Sequence, residues 1–346
     1  MPVRREPEAL IWTLHTAIGN ERALPDADAW RTAIPALGSS RLLGLAGHLL
    51  GARKSSLPDR VRLTFEAADL EAEVIARRNR AQLDHLLAYL AQTDLRWVVL
   101  KSWPLAARLY PAPAYRPSGD LDLLVGQESW KWVVQALLSA GYERTQENET
   151  FHHRFLRRSA DGYHDVIELH HSPNPREFGG PEAEEVLASR QMFQSEAGPV
   201  PIPSPDVERD LLVRHYLRHG GSQAILLLDL LLHLNGESFA HPLGNLITGD
   251  LARLDFKPTI TGPETWRHQV LARWMAARTF AERRAARHVS VAGLPLALAR
   301  SNGAALLALS RVVWPKYPTP RWRASNRSGF RRWTWRLHRL ARLGRE

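Results

Sequence analysis

Apolar residues recur every three or four positions through the first ninety residues of this chain, then shift to short continuous runs, then return to helical spacing. Ile11, Leu14 and Ala17 share one helical face, and Leu42, Leu43, Leu45, Leu49 and Leu50 form a second apolar group. A long helix is expected from about Pro58 to Gln92, carrying Leu63, Phe65, Leu70, Val74, Leu83, Leu86, Leu87 and Leu90, with the charged stretch 71–80 as its solvated face. The run Trp97-Val98-Val99-Leu100 reads as a buried strand and leads into a helix from about Pro104 to Leu109. Pro117-Ser118-Gly119 is a turn that opens a second strand with Leu123, Leu124 and Val125. An amphipathic helix from Ser129 to Ala140 stops at Gly141. A strand starts at Tyr142-Glu143-Arg144. Phe151 to Leu156 and Val166 to His170 then read as a hairpin closed at Asp161-Gly162.

Pro199 to Pro205 is expected to be a linker, because proline cannot sit inside a central strand or helix. Beyond it Asp206 is the expected N-cap of a helix bearing Leu211, Leu212, His215, Tyr216 and His219, broken at Gly220-Gly221. Helices over Ala224–Asn235 and Pro263–Ala286 follow. The pattern divides the chain into an N-terminal helical region (1–92), a mixed core (93–205), a C-terminal helical domain (206–310) and a tail (311–346).

Composition changes this picture in two places. No cysteine is present, which excludes disulfides and thiolate metal sites and fits a reducing compartment. No signal peptide or membrane-length apolar run is read, so a cytoplasmic protein is expected. The net charge of +10 lies entirely in the tail, where eleven Lys and Arg face only Glu346. Phe330, Trp333, Leu337, Leu340 and Gly344 fall at helical spacing there, and an amphipathic helix from Ser328 to Leu343 is expected. It either docks on the helical domain or gives residues 321–346 an anionic partner, a membrane or RNA. Docking is the expectation.

The chemistry concentrates between residues 96 and 125. Asp120 and Asp122 are two apart at the start of a strand, so their side chains point the same way. Paired carboxylates repel unless a cation lies between them, and hard divalent ions prefer such oxygens. Lys101 and Ser102 join a strand to a helix N-terminus, an arrangement suited to phosphate. Lys101 and Arg116 each read as a phosphate contact or as half of a structural ion pair. His215 and His219, four apart, could hold zinc, although packing or substrate contact is favoured because no Glu stands where an H-E-x-x-H motif needs it.

The order Leu100-Lys101-Ser102, Arg116-Pro117, Asp120-Leu121-Asp122-Leu123-Leu124-Val125 and Ile167-Glu168-Leu169-His170 resembles the uncharacterised nucleotidyltransferase family of the polymerase-β-like superfamily. Pro203-Ser204-Pro205, His215, His219 and Asp229 resemble its second-domain helices. The resemblance implies an α/β (α+β) core with a small mixed sheet, flanked by helical regions. It implies transfer of a nucleoside monophosphate from an NTP, ATP being expected, to a metabolite or peptide acceptor with Mg²⁺ or Mn²⁺. Asp120, Asp122 and Glu168 would be the catalytic and metal-binding carboxylates, with Asp165 as the competitor for the third place. Lys101, Ser102, Arg116, Ser118, Gly119 and His170 would serve the nucleotide phosphates; His170 could instead hold a ligand carboxylate. The rival reading is a degenerate transferase fold that binds RNA or an anionic membrane through its tail.

Overall fold

In a computed structural model of the chain, residues 6–90, 95–148, 151–159, 162–175, 178–196, 198–256 and 260–261 are described, with five further positions between 272 and 283. The chain opens with helices α1 (Glu8–Ala17), α2 (Ala27–Ser39) and α3 (Leu43–Leu50). Asp26 caps α2 by accepting the Ala29 amide at 2.7 Å. Helix α4 (Asp59–Leu90) runs 32 residues, about 48 Å at the usual rise. Its length has a use: Val61 and Phe65 pack into a core built with α1–α3, whereas Leu83, Leu86, Leu87 and Leu90 pack into the core beneath the sheet. Between those ends Leu70 and Val74 are exposed.

The sheet begins with β1 (Trp97–Val99), followed by α5 (Ser102–Leu109), β2 (Leu121–Val125), α6 (Trp130–Ser139), β3 (Glu143–Asn148), β4 (His152–Arg158) and β5 (His164–His170). Helix α5 starts two residues earlier than expected, and Pro104 still falls in its first turn, where amides lack partners in the helix. Strand order is β1-β2-β5-β4-β3. In this sheet β2 and β5 run parallel and the other pairs antiparallel, giving a mixed sheet of five strands where the family resemblance implied a small mixed sheet. Alternation assigns the faces. Trp97, Val99, Leu121, Leu123, Val125, Phe155, Ile167 and Leu169 cover one face, over α6 and the end of α4. Val98, Leu100 and Leu124 lie on the other, against α7 (Ala183–Ala188) and α8 (Pro205–Arg218).

Two expectations are corrected here. Pro199 to Pro205 is not a linker: Gly198–Ile202 is strand β7, paired with β6 (Gln191–Ser195) in a two-stranded ribbon beside β1. Pro199 and Pro201 are two apart, so both occupy one kind of position, where a ribbon with only one partner asks for no N–H. Nor does Asp206 cap the next helix. Helix α8 (Pro205–Arg218) has Ser204 at its N-cap and Pro205 in its first turn, with Asp206 already helical. Gly220 and Gly221, both with positive φ, end it as expected.

Helix α9 (Ala224–Leu234), with Asn235 left-handed at its end, and α10 (Gly244–Arg253) complete the helical part. Strands β8 (Phe239–Ala240) and β9 (Ile260–Thr261) form a minor pair. The apolar faces of α8, α9 and α10 merge with those of α1–α3 into one core. No helix among the described residues is long and apolar enough to cross a membrane. The expected helices over 263–286 and in the tail 311–346 lie outside the described residues, apart from the five positions noted.

Candidate active site

The sheet face toward α8 carries the polar side chains. Asp122 is the second residue of β2 and Glu168 the fifth of β5, and the parallel register sets them directly opposite each other. Asp120, just before β2, lines the same cavity of about 440 Å³ as Asp122 and Glu168. The three carboxylates that the sequence singled out therefore share one space. Asp165 does not enter it. Three positions from Glu168 it falls on the other face, where Arg157 donates to it at 2.8 Å and Arg78 lies 3.8 Å away.

Asp122 is buried and doubly held: Lys101 Nζ is 3.1 Å from Oδ2, and His170 Nε2 is 3.0 Å from Oδ1. Burial alone would raise its carboxyl, but Lys101 and His170 outweigh burial and hold it well below the usual carboxylate range. Glu168 shows the opposite balance. Burial first, then the charges of Asp122 and Asp120, push it up to about 7. The Ser118 hydroxyl donates to the Asp120 main-chain oxygen at 2.9 Å and to Oδ1 at 3.1 Å, fixing the turn that delivers the first aspartate.

Arg116 lines the cavity while its Nε and Nη2 both donate to Asp229 at 2.7 Å. The Tyr110 hydroxyl donates to the same carboxylate at 2.7 Å. Ser102 opens α5, and Gly119 borders a second cavity of about 760 Å³. That cavity shares Arg41, Pro117 and Ser118 with the first, and its other walls include Leu70, Val74, Ile75 and Tyr163. His215 and His219 stack edge to face at 4.7 Å and both line the first cavity, with His215 Nδ1 3.0 Å from Arg218 Nη2. Burial, then Lys101, drives the His215 imidazole well below its ordinary value, so it is neutral.

Among the charged and imidazole side chains that line the cavity, the sequence reading missed three: His152, Arg41 and Arg218. His152 pairs with His170 across β4 and β5, so it shares the site face with Glu168, while His153 and His171 turn to Trp130 on the other face. Adjacent strand residues face opposite ways, so the pairs His152-His153 and His170-His171 are each split between faces. What they concealed was the cross-strand partnership, which follows once the hairpin is centred on residue 161. Burial, then the neighbouring His170, lowers the His152 imidazole to about 3. Its Nδ1 is buried without a hydrogen-bond partner among the described residues.

The mixed sheet thus presents Asp122 and Glu168 from neighbouring parallel strands, with Asp120 just before the first of them, beside a strand–Lys–helix turn. Residues 26–235, which include every site residue named above, match the family described as uncharacterised nucleotidyltransferase, and the chain belongs to it. Among solved structures it is similar to an antigenic nucleotidyltransferase-like protein from Paracoccidioides brasiliensis, at 16% identity and a TM-score of 0.34. That match covers 54% of this chain and 92% of the other. No curated protein matches the chain.

Proposed function

We propose that this protein transfers a nucleoside monophosphate from an NTP, ATP being the expected donor, to a small-molecule or peptide acceptor. The observation that carries the proposal is the register of Asp122 against Glu168, which brings a third carboxylate to the Asp120–Asp122 pair. The donor set suits a hard divalent cation: three carboxylates face one cavity, and the proton affinity of Glu168 is raised partly by its acidic neighbours, a crowding that a dication relieves. Asp120, Asp122 and Glu168 would hold Mg²⁺ or Mn²⁺. When bound, the ion neutralises triphosphate charge and acidifies the attacking oxygen.

The protein's own groups supply the remainder. Lys101, Arg41 and Arg218 border the cavity and set a positive potential for a triphosphate. The acceptor's oxygen or nitrogen attacks the α-phosphorus, the bond to pyrophosphate breaks, and the acceptor's proton leaves to solvent or to a carboxylate oxygen of Glu168. The second cavity, reached past Arg41, Pro117 and Ser118 and walled by Leu70, Val74 and Tyr163, suits the acceptor's apolar body.

The test is pyrophosphate release from each NTP with Mg²⁺ or Mn²⁺ and a panel of acceptors, beside Asp122→Asn. That substitution keeps shape and removes charge, and it is expected to abolish metal-dependent turnover while the far-UV circular dichroism stays unchanged. Turnover at the wild-type rate in Asp122→Asn would refute the assignment.

A further inference from the structure

On the β4 side of the carboxylates, two imidazoles that nucleotide transfer by three acids leaves unused flank Glu168. His152 Nε2 is 3.7 Å from Glu168 Oε1, and His170 Nε2 is 3.9 Å from Glu168 Oε2. The three side chains each offer a ligand atom within 4.8 Å of the others, and the two imidazole rings are 4.9 Å apart. We propose that His152, Glu168 and His170, joined by Asp122, form a binding site for a divalent transition-metal ion that accepts imidazole nitrogen, such as Zn²⁺, Mn²⁺ or Co²⁺. The site stands whether or not nucleotidyl transfer is the activity.

Four features support it. The first is ligand type. Imidazole and carboxylate together select transition ions, whereas Mg²⁺ favours oxygen and keeps its water. A site with two histidines therefore differs in preference from one built of Asp120, Asp122 and Glu168 alone.

The second is spacing. A tetrahedral ion with bonds near 2.05 Å has ligand–ligand edges of about 3.3 Å. The His170–Asp122 separation of 3.0 Å already lies close to that edge, and the two contacts to Glu168 are about half an ångström longer. A small inward rotation of the Glu168 carboxylate, the most exposed member of the set, closes them.

The third is orientation. Metal-bound histidine usually donates its other ring N–H to a carbonyl or carboxylate, which bares the ligating nitrogen. His170 Nε2 now shares its proton with Asp122 at 3.0 Å, and Nδ1 lies 3.4 Å from the Ser172 carbonyl oxygen, so a metal that displaces the Nε2 proton leaves an Nδ1–H that can donate there. The fourth is charge. Lys101 holds the far oxygen of Asp122, so two carboxylates and two neutral imidazoles meet a dication without excess negative charge.

His152 is the discriminating residue. It is buried, and among the described residues its Nδ1 has no hydrogen-bond partner and Glu168 is the carboxylate placed as its ion-pair partner. A histidine kept there only for packing would tolerate an amide of similar size.

The experiment uses the full chain with the metal alone. Zn²⁺ affinity is measured by competition with a chromophoric chelator, and Mg²⁺ affinity by calorimetry, for wild type, His152→Gln and Asp120→Asn. Electron spin-echo modulation of bound Mn²⁺ is recorded for wild type, a readout that needs no variant to fold. The proposal expects ¹⁴N modulation from imidazole in wild type. It also expects Zn²⁺ affinity in His152→Gln to fall by about 10–100-fold or more, with Mg²⁺ affinity unchanged. Wild-type Mn²⁺ without nitrogen coupling overturns it, as does wild-type Zn²⁺ affinity in His152→Gln. If His152→Gln binds as wild type and Asp120→Asn loses both ions, the cation belongs to the carboxylates alone. The nucleotidyltransferase reading then stands and this one falls.

Discussion

Glu168 carries a charge that its surroundings oppose. A carboxyl raised from 4.5 to about 7 binds its proton more tightly in the folded chain than in the unfolded one. Stability is therefore highest below the lower value and declines as pH rises through the upper one, by on the order of 1–3 kcal/mol. Glu168→Gln removes that crowding. At pH 8 without divalent ions this variant is expected to melt above wild type, and in turnover assays to lose activity by orders of magnitude. Asp165→Asn is the control. It should lose thermal stability with its Arg157 pair and keep far more turnover than Glu168→Gln, since Asp165 lies outside the carboxylate cavity and borders only the second one. The reverse ranking in rate would move the third carboxylate to Asp165. At this scale Asp120 and Asp122 were legible in the sequence because spacing sets which neighbouring strand residues share a face, whereas Glu168 was implied by the family resemblance, with Asp165 as its competitor. His152 was not legible, because its membership depends on the pairing of two strands, and a shift of one position turns every side chain to the other side.

Among the elements, strands with alternating or continuous apolar residues were legible, and so were helices with a regular stripe. Strand β7 was hidden by its prolines, which argue against a central strand and say nothing against a two-stranded ribbon. The lead-in to β2 also depends on a partner far along the chain. Arg116, Tyr110 and Asp229 form a buried cluster that ties the turn before Asp120 to α9. From sequence alone Arg116 was equally a phosphate contact or a structural pair, since nothing local marks Asp229 as its partner. Asp229→Ala leaves the Arg116 guanidinium buried without its counter-ion and is expected to cost about 3–5 kcal/mol in urea unfolding. Loss of less than 1 kcal/mol would mean that Arg116 finds another anion or water.

Across the whole molecule, the sequence order of regions differs from their packing order. Leu10, Leu14, Trp30 and Leu45 near the start share one core with Tyr216, Leu228, Ile247 and Leu251. A buried cluster reinforces that union: Glu6 lies 3.2 Å from Arg253, which meets Asp250 at 3.0 Å, while Arg283 reaches Asp250 at 2.8 Å. Such long-range closure leaves little trace in local pattern, since each helix reads as amphipathic whatever it packs against. A chain beginning at Asp59 would expose the apolar faces of α8–α10. It is expected to lose cooperative unfolding and to elute as aggregate in size-exclusion chromatography. A monomeric, cooperatively melting product would show that α8–α10 close on α4 and the sheet alone.

The single parallel pairing in the sheet has a consequence for the order in which the chain assembles. Strands β3, β4 and β5 pair with sequence neighbours, so they can form early and locally. Strand β2 reaches β5 only after α6 and that meander are in place, and Asp122 meets His170 across a separation of 48 residues. Closing a loop of that length costs on the order of 3 kcal/mol in chain entropy before any contact repays it. The two halves of the carboxylate cluster thus come together late, and the repulsion among them is absent from the chain while its hairpins form.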